Sequence, residues 1–421
     1  MHIYLLSSVY PSNYSTKGTT PVVHYFTKEW VLQGHQVHVF HTESIFPKAY
    51  YLIGKLFKNL LDSKLGHLVP TQVPNEYDEI KDGVVVTHLL LKKSKPHGRF
   101  STEQVDRAFG IISSYIDKEG VPDCFVGHWD NPQLELLHAL KRRFHRPTCL
   151  VYHSNGFLQL YRCYGQETDV LVKDIDLVGF RNITARVAYE KQFGKLSHSF
   201  IAASGVSKPF IEAGLSFDKE IGQIKRFVYV GTLIHRKYPD IIVESLNRSF
   251  QKEPFEITYI GEGRYKRIVK QKFDALGCSG KLTFTGRIPR EEVINYLKQS
   301  DVFVMISKGE LFGLVYLEAM ALGCITIAAR HEGIDGIILD GENGFLCEAG
   351  DESGLEDIIK KIRGMSPADL GRISQKAKET ALAYSDVNVA KNYIDELKKL
   401  NNENILSIWK TDEETARNVC C

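Results

Sequence analysis

The chain has 421 residues, enough for two to three domains of about 150 residues, and its 43% hydrophobic and 25% charged content places it among folded globular proteins rather than disordered ones. A net charge of +2 excludes a protein whose whole surface is built for nucleic acid, so any basic function is local. The cysteines (Cys124, Cys149, Cys163, Cys278, Cys324, Cys347, Cys420 and Cys421) form no Cys-x-x-Cys pair and lie mostly in apolar runs, which suits buried thiols in a reducing cytosol.

The first apolar run, from Ile3, meets turn residues at Pro11, Ser12 and Asn13. It is shorter than the roughly 7–15 residues of a signal h-region and lacks a basic n-region. No stretch approaches the ~18 apolar residues of a membrane span. The expected location is the cytoplasm, with the inner membrane face as a possible resting place.

Strands are predicted at 2–6, 37–41, 84–90, 124–127, 149–153 and 200–204, where short β-branched and aromatic runs recur. Between the first two, Val22, Val23, Phe26, Trp30 and Val31 repeat at helical spacing and stop at Gly34. Within 48–65, Ile53, Leu56, Phe57, Leu60 and Leu61 make a helical stripe bordered by Lys48, Lys55, Lys58 and Lys64. That pattern fits either a core-facing helix or an amphipathic helix on an anionic membrane, with Lys92, Lys93, Lys95 and Arg99 extending the basic face. His128 and His153 each close a predicted strand.

The polar stretch Ser216–Gln223 is the expected junction. A second series of strands is predicted at 226–231, 256–260, 282–285, 301–306 and 325–328, with a helix carrying Val293, Ile294 and Leu297 after Pro289. A charged helical pattern fills about 366–400. The terminal Cys420-Cys421 pair is not specific evidence for lipidation. Strands alternating with helices predict parallel sheets of right-handed βαβ units. The fold class is therefore α/β, with two Rossmann-like doubly wound domains facing a central cleft. Residues 1–218 form the first, 219–385 the second, and 386–421 a helix returning to the first plus a tail. Ligands of such sheets bind beyond the carboxyl ends of the strands.

Two segments at predicted carboxyl ends carry the chemistry. In Ser307–Met320, Glu310 lies in a strand-to-helix turn and Glu318 inside the helix that begins after Gly313. The free N–H groups of Gly313, Leu314 and Val315 at that helix start suit a diphosphate. Glu318 suits a ribose diol and Glu310 the hydroxyls of a sugar, since an ionised carboxylate accepts two O–H bonds. In Tyr229–Pro239, Gly231 permits a turn and Arg236 and Lys237 offer charge to a diphosphate leaving group.

Together these segments resemble the retaining glycosyltransferases of family 4, which have the GT-B fold. Glu310-x7-Glu318 matches that family's signature pair, Gly231–Lys237 its phosphate-binding turn, and Thr285-Gly286-Arg287 the loop that holds the base. Gly34-His35-Gln36-Val37, with Gly18 before it, is similar to the first-domain pattern, and the likeness runs from residue 1 to about 390. The resemblance implies donor binding by Gly18, Gly231, Arg236, Lys237, Gly286, Arg287, Phe312, Gly313, Leu314, Val315 and Glu318. It assigns catalysis to Glu310 and to His128, which matches the family's histidine near the reacting sugar. Thr232 replaces an arginine frequent after the turn glycine, and Lys17-Gly18 replaces Gly-Gly; Lys17 or Arg264 is then the substitute cation.

The implied reaction moves a hexosyl-type residue from a nucleotide-diphosphate sugar to a glycan or lipid-linked glycan, as in polysaccharide biosynthesis. It retains configuration by front-face departure and attack, and it needs no cofactor and no metal; no Asp-x-Asp closes a predicted strand. A nucleotide-sugar epimerase on a similar fold is the nearest rival. A dinucleotide oxidoreductase is disfavoured because Lys266 breaks the glycine fingerprint begun at Gly261-Glu262-Gly263. A binding module without catalysis predicts that Glu318→Ala leaves activity intact.

Overall fold

The computed structural model describes residues 1–14, 21–56, 73–93 and 98–400. These form two compact units. Unit 1 comprises Met1–Arg181, Ala185–Ala202 and the chain from Val389; unit 2 comprises Asn182–Thr184 and Ala203–Asn388.

Among the described residues, unit 1 holds eight strands: β1 (His2–Ser7), β2 (Gln36–Ile45), β3 (Tyr77–Lys81), β4 (Val84–Lys92), β5 (Cys124–His128), β6 (Thr148–Tyr152), β7 (Leu177–Phe180) and β8 (Ser199–Ile201). Their order is β3-β4-β2-β1-β5-β6-β7-β8, and only the β3–β4 pair is antiparallel. Central strands covered on both faces read as unbroken apolar runs, so Ile3–Leu6, Phe125 and Leu150 are all fully buried. Strand order reverses between β1 and β5, which makes their carboxyl ends the ligand-binding edge of this sheet.

The helix Val22–Leu32 buries Val23, Phe26 and Trp30, as its spacing predicts. The pattern at 366–400 is not one helix. Pro367–Ala383 ends at Tyr384, and a second helix, 386–400, packs in unit 1 from Val389 onward. There Trp30 Nε1 donates to the Ala390 carbonyl (3.1 Å), and the Tyr393 ring lies edge-on to Trp30 and Phe26. The late helix thus completes a core begun by residues 23–30.

Unit 2 carries six parallel strands: β9 (Arg226–Val230), β10 (Phe255–Ile260), β11 (Gly280–Gly286), β12 (Val302–Met305), β13 (Ile325–Ala329) and β14 (Phe345–Cys347). The order β11-β10-β9-β12-β13-β14 is the dinucleotide-fold order, with the reversal between β9 and β12. Buried Asp301 fixes that junction at its amino end, accepting from the Lys225 and Arg226 N–H groups (3.0 and 2.8 Å) while pairing with the Arg226 guanidinium.

The chain enters unit 2 at Ala203, ahead of the polar stretch expected to divide it. The reason is packing. The helix Lys208–Leu215 seats Gly214 so closely on the helix Leu314–Ala321 that any Cβ there would lie 2.0 Å from the Ala321 carbonyl oxygen. Val206 also bridges to Ser385. Polarity at 216–223 therefore marks a surface loop inside unit 2, not the division.

Candidate functional site

Beyond β9 in unit 2, Tyr229 Oη donates to the Thr232 carbonyl (3.0 Å), and a short 3-10 turn, His235–Lys237, precedes the helix Pro239–Phe250. Arg236 and Lys237 are thereby held past the carboxyl end of the strand. The segment after β12 meets them. Arg236 Nη1 donates to the carbonyls of Lys308 (3.0 Å) and Gly309 (3.3 Å), and the Lys308 N–H donates back to the Arg236 carbonyl (2.7 Å).

The side chains converge as well. Glu310 Oε2 lies 3.2 Å from Lys237 Nζ and 3.7 Å from Arg236 Nη1. The Glu310 and Lys237 side chains are only 16% and 12% exposed, so this pair is far less screened than a surface ion pair. Segments separated by some seventy residues thus meet at the reversal point of the sheet, where such folds take their ligands.

Gly313 caps the helix Leu314–Ala321 in the left-handed region (φ 74°). A Cβ there would sit 2.4 Å from the Tyr316 ring and 3.2 Å from Glu310 Cγ, so glycine is required by conformation and by space. Tyr316 Oη donates to the Met305 carbonyl (2.7 Å), tying helix to strand. Leu314 and Val315 are half-buried at the helix start, where backbone N–H groups have no carbonyl a turn earlier. Phe312 is buried beneath the turn.

The turn is fixed from a further direction that sequence reasoning missed. Glu310 N–H donates to Glu332 Oε2 (2.7 Å), Gly333 packs directly under Leu311 and Phe312, and Asn182 Nδ2 donates to the Leu311 carbonyl (2.6 Å). These positions carry no motif of their own; only the register of β12 beside β13 brings 332 to 310.

Glu318 is 5% exposed and pairs with Arg290, whose Nε donates to Glu318 Oε1 (2.6 Å) and whose Nη2 meets the same oxygen. Burial raises the Glu318 carboxyl, and Arg290 opposes that rise. Arg290 opens the helix Arg290–Gln299, four residues after Gly286 ends β11. Arg287 is exposed beside it. The neighbouring turn after β10 packs on the β9 turn: Leu233 N–H donates to the Glu262 carbonyl (3.0 Å) and Tyr265 N–H to the Leu233 carbonyl (3.0 Å). Arg264 is exposed within that turn.

Unit 1 carries His128, the histidine expected near the reacting sugar. His128 ends β5, but its side chain is fully buried, with Nδ1 2.9 Å from His153 Nε2 and Nε2 3.4 Å from Tyr393 Oη. Burial, reinforced by Arg181, lowers its pKa to about 3, so the ring is neutral. What this edge presents is half-buried Trp129, at φ 66°, stacked on His153 (3.9 Å, 11°). Gly18 and Lys17 lie outside the described residues, as do Lys95 and residues 57–72. The described helix Lys48–Leu56 buries Tyr51 and exposes Leu52, Leu56, Lys48 and Lys55. Arg99 is not available to that surface, being paired with Glu135 and Glu167.

The same edge holds a residue the sequence did not single out. Glu43, near the carboxyl end of β2, has a buried Oε2 with no hydrogen-bond partner among the described residues, and burial raises its pKa from 4.5 to about 7. The folded chain therefore keeps this proton where the unfolded chain has lost it, and stability falls as pH rises from about 4.5 to 7. Glu43→Gln is expected to be more stable than the parent at pH 8, by on the order of 2 kcal/mol, with the gap closing near pH 4.5. Melting curves across that range check this; a difference independent of pH refutes it.

Residues 216–380 match the family described as glycosyl transferases group 1. N-acetyl-alpha-D-glucosaminyl L-malate synthase of Bacillus anthracis is 26% identical over 182 residues, 41% of this chain and 47% of that protein. An uncharacterized glycosyltransferase of Methanocaldococcus jannaschii is 23% identical over 291 residues, 68% of this chain and 78% of the relative. Among solved structures, HepE of Anabaena in complex with UDP superposes with a TM-score of 0.63 at 16% identity, covering 95% of this chain and all of that one. The chain therefore has the GT-B fold, and residues 216–380 are similar to the glycosyl transferases group 1 family. The match to the B. anthracis enzyme spans about half of that protein's length.

Proposed function

We propose that the protein transfers a glycosyl residue from a nucleotide-diphosphate sugar to a glycan or lipid-linked glycan acceptor, with retention of configuration and without a metal. The observation that carries this reading is the meeting of the Arg236-Lys237 turn with Glu310 at the reversal of the unit 2 sheet, beside the helix start at Gly313. Lys237, Arg236 and the first helical N–H groups supply positive potential where a diphosphate departs, and preorganised charge of this kind usually contributes most to catalysis. Glu310, released from Lys237 when a diphosphate takes its place, accepts from sugar hydroxyls. Glu318 accepts from the ribose. No carboxylate among the described residues of unit 2 is placed as a nucleophile in this scheme, so departure and attack on one face are the favoured course.

The description of HepE as a UDP complex supports a uridine or similar nucleotide as the first donor to try. The exposed Leu52 and Leu56 beside Lys48 and Lys55 support a cytoplasmic enzyme whose acceptor lies at an anionic membrane surface. Sedimentation with anionic vesicles at low salt is expected to carry the protein down; no co-sedimentation removes the membrane part of the reading.

The test of the main reading is incubation with a panel of UDP, GDP and ADP sugars, with and without extracted glycan and lipid-linked acceptors. Transfer is expected as nucleotide release that depends on acceptor, with the product linkage keeping the anomeric configuration of the donor. Conversion of the donor to a different nucleotide sugar instead indicates an epimerase, and activity abolished by chelators and restored by a divalent ion overturns metal independence.

A further inference from the structure

Arg290, the partner of Glu318, is not among the residues assigned above to donor binding. We propose that Arg290 is a positioning residue: it holds the Glu318 carboxylate ionised and turned so that it receives the 2′ and 3′ hydroxyls of a nucleoside diphosphate. The inference rests on the donor-site reading of Glu318.

Three observations carry it. First, Glu318 lies inside a helix and is 5% exposed, an environment that favours the neutral acid, whereas a diol is best received by an ionised carboxylate, which accepts and never donates. Among the described residues, Arg290 is the charged group acting on it. Second, Arg290 Nε donates to Glu318 Oε1 (2.6 Å) and Nη2 meets the same oxygen, so two donors on one planar group fix the orientation of the carboxylate. Third, the guanidinium is itself braced, lying 5.5 Å over the Phe210 ring, and its backbone is the first residue of a helix that comes directly after the Thr285–Arg287 loop. The loop read as the base-binding element and the carboxylate read as the ribose acceptor are thus joined through one side chain.

Burial already raises the Glu318 carboxyl and Arg290 opposes the rise. Without the guanidinium the rise is larger, so ribose recognition is lost at a higher pH as the solution is acidified.

The experiment measures binding of UDP and GDP, and of their 2′,3′-dideoxy forms, to the full chain, Arg290→Gln, Arg290→Lys and Glu318→Gln by calorimetry between pH 5.5 and 8.5. Arg290→Gln is expected to lose about tenfold or more in affinity for the ribonucleotide, to lose most of the preference over the dideoxy form, and to weaken at higher pH than the parent. Arg290→Lys is expected to restore the pH profile while recovering only part of the preference, since an ammonium keeps the charge but not the planar fork. Glu318→Gln loses preference and pH dependence together. In turnover, the Arg290 effect falls on KM for the donor more than on kcat. Folded Arg290→Gln or Arg290→Lys protein that keeps the parental ribose preference and pH profile overturns the role of Arg290 alone. A parent chain that binds neither diphosphate overturns the donor-site reading, and this inference with it.

Discussion

Glu310→Gln is expected to lower turnover at saturating donor by about 10²–10³-fold, a loss of roughly 3–4 kcal/mol of transition-state stabilisation. Glutamine keeps the shape of the side chain but not its charge. Glu310 balances Lys237 at 3.2 Å and Arg236 at 3.7 Å, while its N–H is fixed by Glu332. The backbone of the turn therefore survives the substitution, and the deficit falls on the acceptance of sugar hydroxyls as charge develops at the reacting carbon. Initial rates of acceptor-dependent nucleotide release measure this. Unchanged kcat at saturating donor removes Glu310 from sugar binding and leaves it the counter-ion of Lys237.

Lys237→Ala is expected to have a comparable effect, divided differently. Loss of the ammonium at the carboxyl end of β9 removes charge from the departing diphosphate, lowering kcat/KM by about 10²–10³-fold. It also leaves Glu310, 16% exposed, with only the longer Arg236 contact. Stripping one partner from a largely buried pair is costly, so thermal unfolding without nucleotide is expected to shift downward by the equivalent of about 1–3 kcal/mol. Lys237→Arg keeps charge at the site and is expected to recover stability before activity, because the fork places its donors differently. Parental affinity for nucleoside diphosphate in Lys237→Ala contradicts the assignment.

These two side chains show what was legible in the sequence. Both lie just beyond apolar runs that read as parallel strands, so their placement at one sheet edge came from topology. Strand prediction worked where burial on both faces made the runs unbroken, as at Val302–Met305. It failed where the run was polar or too short: β3 (Tyr77–Lys81) is a largely polar edge strand of alternating exposure, and β7 and β14, though buried, are four and three residues long. Contacts between segments without a motif were also out of reach. Arg290 reaches Glu318, Glu332 reaches the Glu310 N–H, and Tyr393 seals His128 from 265 residues away. In the last case a histidine at the carboxyl end of a strand is packed against by a late helix that no local pattern announces.

That late helix orders events during synthesis. Trp30 finds its carbonyl partner at residue 390 and its edge-on ring at 393. At about 5–20 residues per second, tens of seconds of translation separate the tryptophan from both. Unit 2 emerges whole from the ribosome in that interval, whereas unit 1, the first to be made, waits with the Phe26 and Trp30 face of its opening helix uncovered. The amino-terminal half of this protein is thus the last to close, and over that interval the nascent chain depends on whatever shields that apolar stripe.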